Sequence, residues 1–113
     1  MLRDILLGFA RIHILYHAGR GPVYGAWLSE ELARHGYELG PGTLYPMLHG
    51  LEAAGYLASE KRVTEGRVRR YYTLTPSGRR ALAEARAKAL ELVAEITEGE
   101  SPESQASETR EED

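Results

Sequence analysis

The chain has 113 residues, of which 42% are hydrophobic and 27% charged, with no cysteine and a formal net charge of −3. One domain is the expectation for that length and composition, and the missing cysteines exclude a disulfide scaffold, a thiolate metal site and cysteine catalysis. The apolar start MLRDILLGFARIHIL is broken by Arg3, Asp4 and Arg11 well short of the ~20 residues that span a bilayer, and it lacks a signal-peptide cleavage pattern, so a cytoplasmic protein without membrane contact is expected.

In chain order, the first helix is predicted over residues 2–18. Leu2, Ile5, Leu6, Phe9, Ile12, His13 and Tyr16 form one stripe, while Leu7, Ile14 and Leu15 lie off it, so the helix should be covered on more than one side. AGRGP ends it. A second helix runs from about Tyr24 to His35, with Tyr24, Trp27, Leu28 and Leu32 facing inward and Gly36 as C-cap. GPGTLYPMLHGLEAAGYL carries the third. Leu44, Met47, Leu48 and Leu51 have the i, i+3, i+4, i+7 spacing of a buried face, despite Gly42, Pro46 and Gly50. With Thr43 as N-cap, Pro46 would stand at N3, where its missing N–H costs no intrahelical bond.

After Gly55 the period changes. YLASEKRV and RVRRYYTLT read as strands, with residues 64–66 as a hairpin loop in which Gly66 supplies a positive φ. TPSG then marks a helix start, Thr75 as N-cap and Pro76 at N1. The last helix is predicted from about Pro76 to Glu98, ~34 Å long.

Charge is unevenly spread. Residues 99–113 carry six acids and one arginine, and with no large apolar residue they are expected to form a disordered acidic tail. Lys61, Arg62, Arg67, Arg69, Arg70, Arg79 and Arg80 face only Glu60 and Glu65 between residues 60 and 80, which points to an anionic partner there. Helices followed by a basic hairpin outline a winged helix-turn-helix, in which the third helix enters the major groove and the wing lies on the backbone or minor groove. The fold class is therefore mainly α with a small β-hairpin: a winged helix-turn-helix over 1–75 plus a long C-terminal dimerisation helix over 76–98. Thr43, Tyr45, Pro46 and His49 lie opposite the leucines of the third helix, suited to base edges and phosphates. With Tyr24, Lys61, Arg67, Arg69 and Arg70 they form the candidate contacts to double-stranded DNA, although strand alternation forbids Arg69 and Arg70 from pointing the same way.

On the last helix Leu82, Ala85, Ala89, Leu92 and Ile96 form a heptad-like seam. A second copy would cover it, together with Leu6, Phe9 and His13 of the first helix; the alternative is a helix folded back on its own domain. His13 and His17, at i and i+4, can hold one metal ion, but the sequence shows no third ligand, and packed histidines are the simpler reading. Catalysis finds no support, because Ser29, Ser59 and Ser77 have no triad context and GYELGPG lacks the lysine of a P-loop.

GPGTLYPMLHGLEAAGYL, with its Leu-Tyr pair, spaced leucines, Glu52, Gly55 and apolar pair, followed by RRYYTLTPSGRRAL, resembles the PadR-type bacterial transcriptional regulators in their short form. The likeness runs from residue 1 to about 98. It implies a homodimer that binds a two-fold operator and represses transcription, with inducers bound near the dimer centre, where the first helix and its His13 and His17 should lie; release by a small-molecule or metal effector is expected, and no other cofactor. Members that take flat aromatic drugs stack them on a tryptophan of the last helix. Here the one tryptophan is Trp27, on the second helix, which leaves only Phe9 or Tyr16 for that role. A winged-helix protein-interaction module without DNA function is the alternative, and the basic wing argues against it.

Overall fold

The computed structural model describes residues 1–99, so the expected acidic tail lies, apart from Gly99, outside the described residues. Seven elements follow in order: α1 (Leu2–Arg20), β1 (Val23–Tyr24), α2 (Gly25–Arg34), α3 (Pro41–Ala53), β2 (Leu57–Thr64), β3 (Arg67–Leu74) and α4 (Pro76–Gly99). Residues Met1–Leu82 form one compact unit, which takes in the first turns of α4; the rest of α4 belongs to a second. Among the described residues no helix is long and apolar enough to cross a membrane.

The first helix turns its apolar residues both ways, as expected, but the broader stripe is the outer one. Ala10, Ile14, Leu15 and Ala18 are buried, while Leu2, Ile5, Leu6, Phe9 and Tyr16 are exposed. Small alanines let α1 approach its neighbours closely, and Ile14 and Leu15 fill the space. The inward residues of α2 are Leu28 and Leu32, and those of α3 are Leu44, Met47, Leu48 and Leu51. Val23, Leu57, Tyr72 and Leu74 of the sheet complete this single core. Each fully buried aliphatic side chain in it contributes about 1.5–3 kcal/mol.

Two expectations for α2 are corrected. Tyr24 is not a helical residue: Val23 and Tyr24 pair with Tyr72 and Tyr71 as a third strand, giving the antiparallel order β1-β3-β2. Two residues are too few for an alternation to be read from sequence. Trp27 does not face inward; it is 38% exposed, its indole edge-on to His17 at 5.4 Å. The chain leaves α2 through His35 and turns at Gly36, whose φ of 91° suits glycine.

The start of α3 is also corrected. Gly40, not Thr43, is the N-cap, and Pro41 occupies N1, where its fixed φ favours the helix. The amides of Thr43 and Leu44 both bond the Gly40 carbonyl. Pro46 therefore lies inside the helix, and the Gly42 carbonyl has no i+4 amide to accept from.

The hairpin register runs from Leu57↔Leu74 to Thr64↔Arg67. Its turn is two residues, Glu65 and Gly66, both at positive φ, the arrangement of a tight primed turn; Thr64 belongs to β2, not to the loop. Thr75 caps α4 as expected, its Oγ1 accepting from the Gly78 amide (2.9 Å) and donating to the Gly55 carbonyl (2.5 Å). Gly78 packs so closely on the Tyr56 carbonyl that any Cβ would overlap it, which explains the glycine of the LTPSG segment. Leu82, expected in the dimer seam, packs partly buried against the core of its own unit.

Candidate nucleic-acid interface

The buried stripe of α3 leaves the opposite side free. Tyr45, Pro46, His49 and Gly50 are exposed and Thr43 is half-buried. Thr43 Oγ1 accepts from Arg3 Nη2 of α1 (3.0 Å), so a cation that the sequence pattern does not reveal stands at the N-terminal turn of α3. Both the helix dipole and that guanidinium favour an anion there. Tyr45 also serves the packing of the helices, because its ring lies across Gly25, where a Cβ would meet the phenol oxygen at 2.6 Å. The tyrosine thus fixes the spacing of α2 and α3 while remaining 41% exposed.

The wing shows how strand alternation sorts its cations. Tyr72 and Leu74 point into the core, so Val68 and Arg70 share their face while Arg67, Arg69 and Tyr71 take the other. On that other face the Arg69 guanidinium lies 4.2 Å from the Tyr24 ring centre and Arg62 lies 4.8 Å from Tyr71. Tyr24 and Tyr71 meet edge to face at 5.4 Å. The two tyrosines therefore hold two arginines in place. Arg62 also bonds Glu60 at 2.7 and 3.0 Å.

On the core-side face, Arg70 Nη1 donates to Ser59 Oγ (2.9 Å), and Ser59 donates to Glu52 Oε2 at the end of α3 (2.8 Å). Glu52, prominent in the sequence pattern, thereby couples the wing to α3. The side chains of Lys61 and Arg67 make no hydrogen bond or ion pair among the described residues. At the tip, Val63 and Val68 are cross-strand partners and both well exposed, an apolar pair that the basic flanks obscure in the sequence.

Register adds a further point. Lys61 is the direct partner of Arg70, and Arg62 of Arg69. Like charges directly opposite destabilise a sheet. The two pairs lie on opposite faces of the hairpin, so each face carries its own concentration of positive charge, only partly offset by Glu60 and Glu52.

The expected seam of α4 is exposed at Leu92 and Ile96, joined by Leu90 and Val93, with Ala85 and Ala89 half-buried. His13, expected at the dimer contact, has its ring 4.8 Å from that of His35 and 5.2 Å from Tyr37 of its own chain. One ligand atom from each of His13, His17 and His35 lies within 4.8 Å of the others. Glu31 Oε2 accepts from His35 Nε2 (3.1 Å) and sits 3.6 Å from His17 Nε2, while Oε1 bonds Arg34 (3.1 Å). Burial lowers the pKa of His13, with His35 and His17 adding to the effect. Burial also lowers that of His17, against the pull of Glu31. Burial pushes the Glu31 carboxyl up, but the His35 hydrogen bond and the Arg34 charge outweigh it and leave the pKa lowered. His35 lies 18 residues beyond His17, so no spacing rule joins it to the i, i+4 pair.

Residues 14–84 match the family described as "Transcriptional regulator PadR-like family". The chain is 53% identical over 100 residues to "Transcriptional regulator Rv3488" of Mycobacterium tuberculosis, covering 88% of this chain and 94% of that protein. Among solved structures, the PadR family transcriptional regulator from Eggerthella lenta is similar with a TM-score of 0.75 at 34% identity, covering 87% of both chains. A PadR-like transcriptional regulator from Bacillus cereus is similar with a TM-score of 0.77 at 26% identity, covering 83% of this chain and 93% of that one.

Proposed function

The chain belongs to the PadR-like family of transcriptional regulators, and from that premise we propose that it acts as a homodimeric repressor on a two-fold DNA operator. It is a winged-helix regulator and not an enzyme. Residues 1–75 read the DNA, α4 over 76–98 pairs the two copies, and an effector releases the complex in the cytoplasm.

The observation that carries the DNA contact is the pair of like-charge cross-strand partners, Lys61↔Arg70 and Arg62↔Arg69, on a hairpin tied to α3 through Ser59 and Glu52. Arg67, Arg69, Arg70 and Lys61 contact phosphates, and Tyr24 holds Arg69 in position. Thr43, Tyr45, Pro46 and His49 approach the major groove, where hydroxyl and imidazole groups meet base edges and the small proline allows close approach. Arg3 adds a phosphate contact at the start of α3. Ala85, Ala89, Leu92 and Ile96 of α4 support dimerisation, with Leu6 and Phe9 of α1, because the large apolar members of the set, Leu92, Ile96, Leu6 and Phe9, are exposed. A dimer sets two recognition helices on half-sites one helical turn, or a small multiple, apart.

The test is fluorescence anisotropy with a duplex from the DNA upstream of the protein's own gene. Two chains per site are expected, with affinity about 10³-fold or more above that for an unrelated duplex at the same salt. Equal affinity for both duplexes would overturn the reading.

A further inference from the structure

We propose that His13, His17, His35 and Glu31 form a binding site for a divalent metal ion of the zinc class, and that the ion alters the affinity for DNA. The second clause rests on the DNA-binding reading above; the first stands on the geometry of the cluster.

Three imidazoles converge from α1 and the end of α2, with the Glu31 carboxylate beside two of them, His17 and His35. His13 and His17 stand one turn apart on α1, Glu31 lies on α2, and His35 is the residue at which α2 ends. The three imidazole ligand atoms lie within 4.8 Å of one another. A tetrahedral ion with metal–nitrogen bonds of about 2.0–2.1 Å needs its ligand atoms about 3.4 Å apart. Reaching that spacing takes a side-chain movement of roughly 1.4 Å. His35 is exposed enough to make it, and a shallow pocket of about 320 Å³ beside His17, Trp27 and Glu31 gives an ion its path in.

Glu31 is oriented for the fourth position. Arg34 occupies its Oε1, so Oε2 is the atom turned toward His17 and His35. The two cations near the cluster, Arg20 and Arg34, lie outside the triangle of histidines: one stacks on Tyr16 and the other is engaged by the carboxylate. Three nitrogens and one oxygen, with no thiolate, select borderline ions such as Zn²⁺ and Co²⁺ over Mg²⁺ and Ca²⁺, which take mainly oxygen ligands.

The position gives the ion its consequence. His35 immediately precedes residues 36–40, which connect α2 to α3, and His13 and His17 anchor α1. An ion held by all three fixes the helix-turn-helix connection to α1. DNA binding depends on how α3 is presented, so the ion and the duplex share a coupling free energy, and such couplings typically change affinity by about 5–150-fold.

The experiment uses the untagged full chain, stripped with a chelator and titrated with Co²⁺. Visible d–d absorption of a tetrahedral Co²⁺ complex is expected, saturating at one ion per chain and bleached by Zn²⁺. His35→Ala removes a half-exposed side chain outside the core and should abolish the tetrahedral spectrum with the fold intact by circular dichroism. His17→Ala should do the same, and Glu31→Gln should weaken binding by about 10-fold or more. An absorption no different from aqueous Co²⁺, or the same binding curve in the wild type and His35→Ala, would overturn the site. Duplex anisotropy with and without Zn²⁺ then tests the coupling: a change of about five-fold or more that His35→Ala removes supports it, and identical affinities overturn it. If no duplex is bound under either condition, the DNA reading fails while the Co²⁺ spectrum still decides the site.

Discussion

In α3, Leu44, Met47, Leu48 and Leu51 are buried by the core of the same chain, whereas in α4 Leu90, Leu92, Val93 and Ile96 stand about half exposed or more. Both stripes have helical spacing, and periodicity alone makes both of them core faces. The difference lies in length and surroundings. The 13 residues of α3 fit against α2 and the sheet, while α4 extends over 24 residues, of which those beyond Leu82 lie outside the main compact unit. Helical periodicity therefore reports that a face will be covered, not by which chain.

α1 repeats the lesson within one helix. Its Ala10, Ile14, Leu15 and Ala18 face inward while its more apolar Leu2–Phe9 side is left open. The small residues mark the intramolecular contact, where backbones approach, and the large ones the open face.

The sharpest way to break the contrast is to remove a side chain from each stripe. Leu48→Ala should cost about 2–5 kcal/mol, because Leu48 is fully buried and its truncation leaves a cavity. A thermal melt should show this at every protein concentration. Leu92→Glu with Ile96→Glu should leave residues 1–82 folded and change association instead. On the proposed homodimer, sedimentation velocity should show a dimer for the wild type and a monomer for the double variant, and the dependence of the melting temperature on protein concentration should vanish. A concentration-independent wild-type melt would put α4 in the same class as α3.

A smaller effect separates the histidine cluster from the wing. The folded-state pKa values of His13 and His17 lie below the ordinary 6.5. Between those lowered values and 6.5 the unfolded chain binds more protons than the folded one, so stability falls as pH drops through that window. His35, Glu31, Arg20 and Arg34 are the charged groups around them. Melting in chelator from about pH 7.5 to about pH 5.5 should show the decline, and His13→Gln with His17→Gln should flatten it.

Much of this is legible in the residues. The stripe of α3 has strong periodicity, and Thr75-Pro76 is a local cap whose hydrogen bond needs no tertiary context. The two-residue turn is nearly legible, since Gly66 marks it but Glu65 at positive φ does not announce itself. What cannot be read depends on contacts between distant segments. Tyr24 becomes a strand only because Tyr71 is beside it. Pro41 wins over Thr43 as the helix start because Gly40 supplies a carbonyl that two amides can share. Arg3 reaches Thr43 across 40 residues, and His35 and Glu31 complete the histidine pair only once α2 lies against α1. The arginine and lysine partners across the hairpin follow from register, which the turn sets.

The measurement that tests the DNA reading most directly is the salt dependence of duplex affinity for the wild type and for Arg67→Ala with Arg69→Ala. The slope of log affinity against log salt should fall by about one unit for each phosphate that is no longer neutralised, with affinity reduced on specific and unrelated duplexes alike. An unchanged slope and unchanged affinity would show that the wing does not touch DNA.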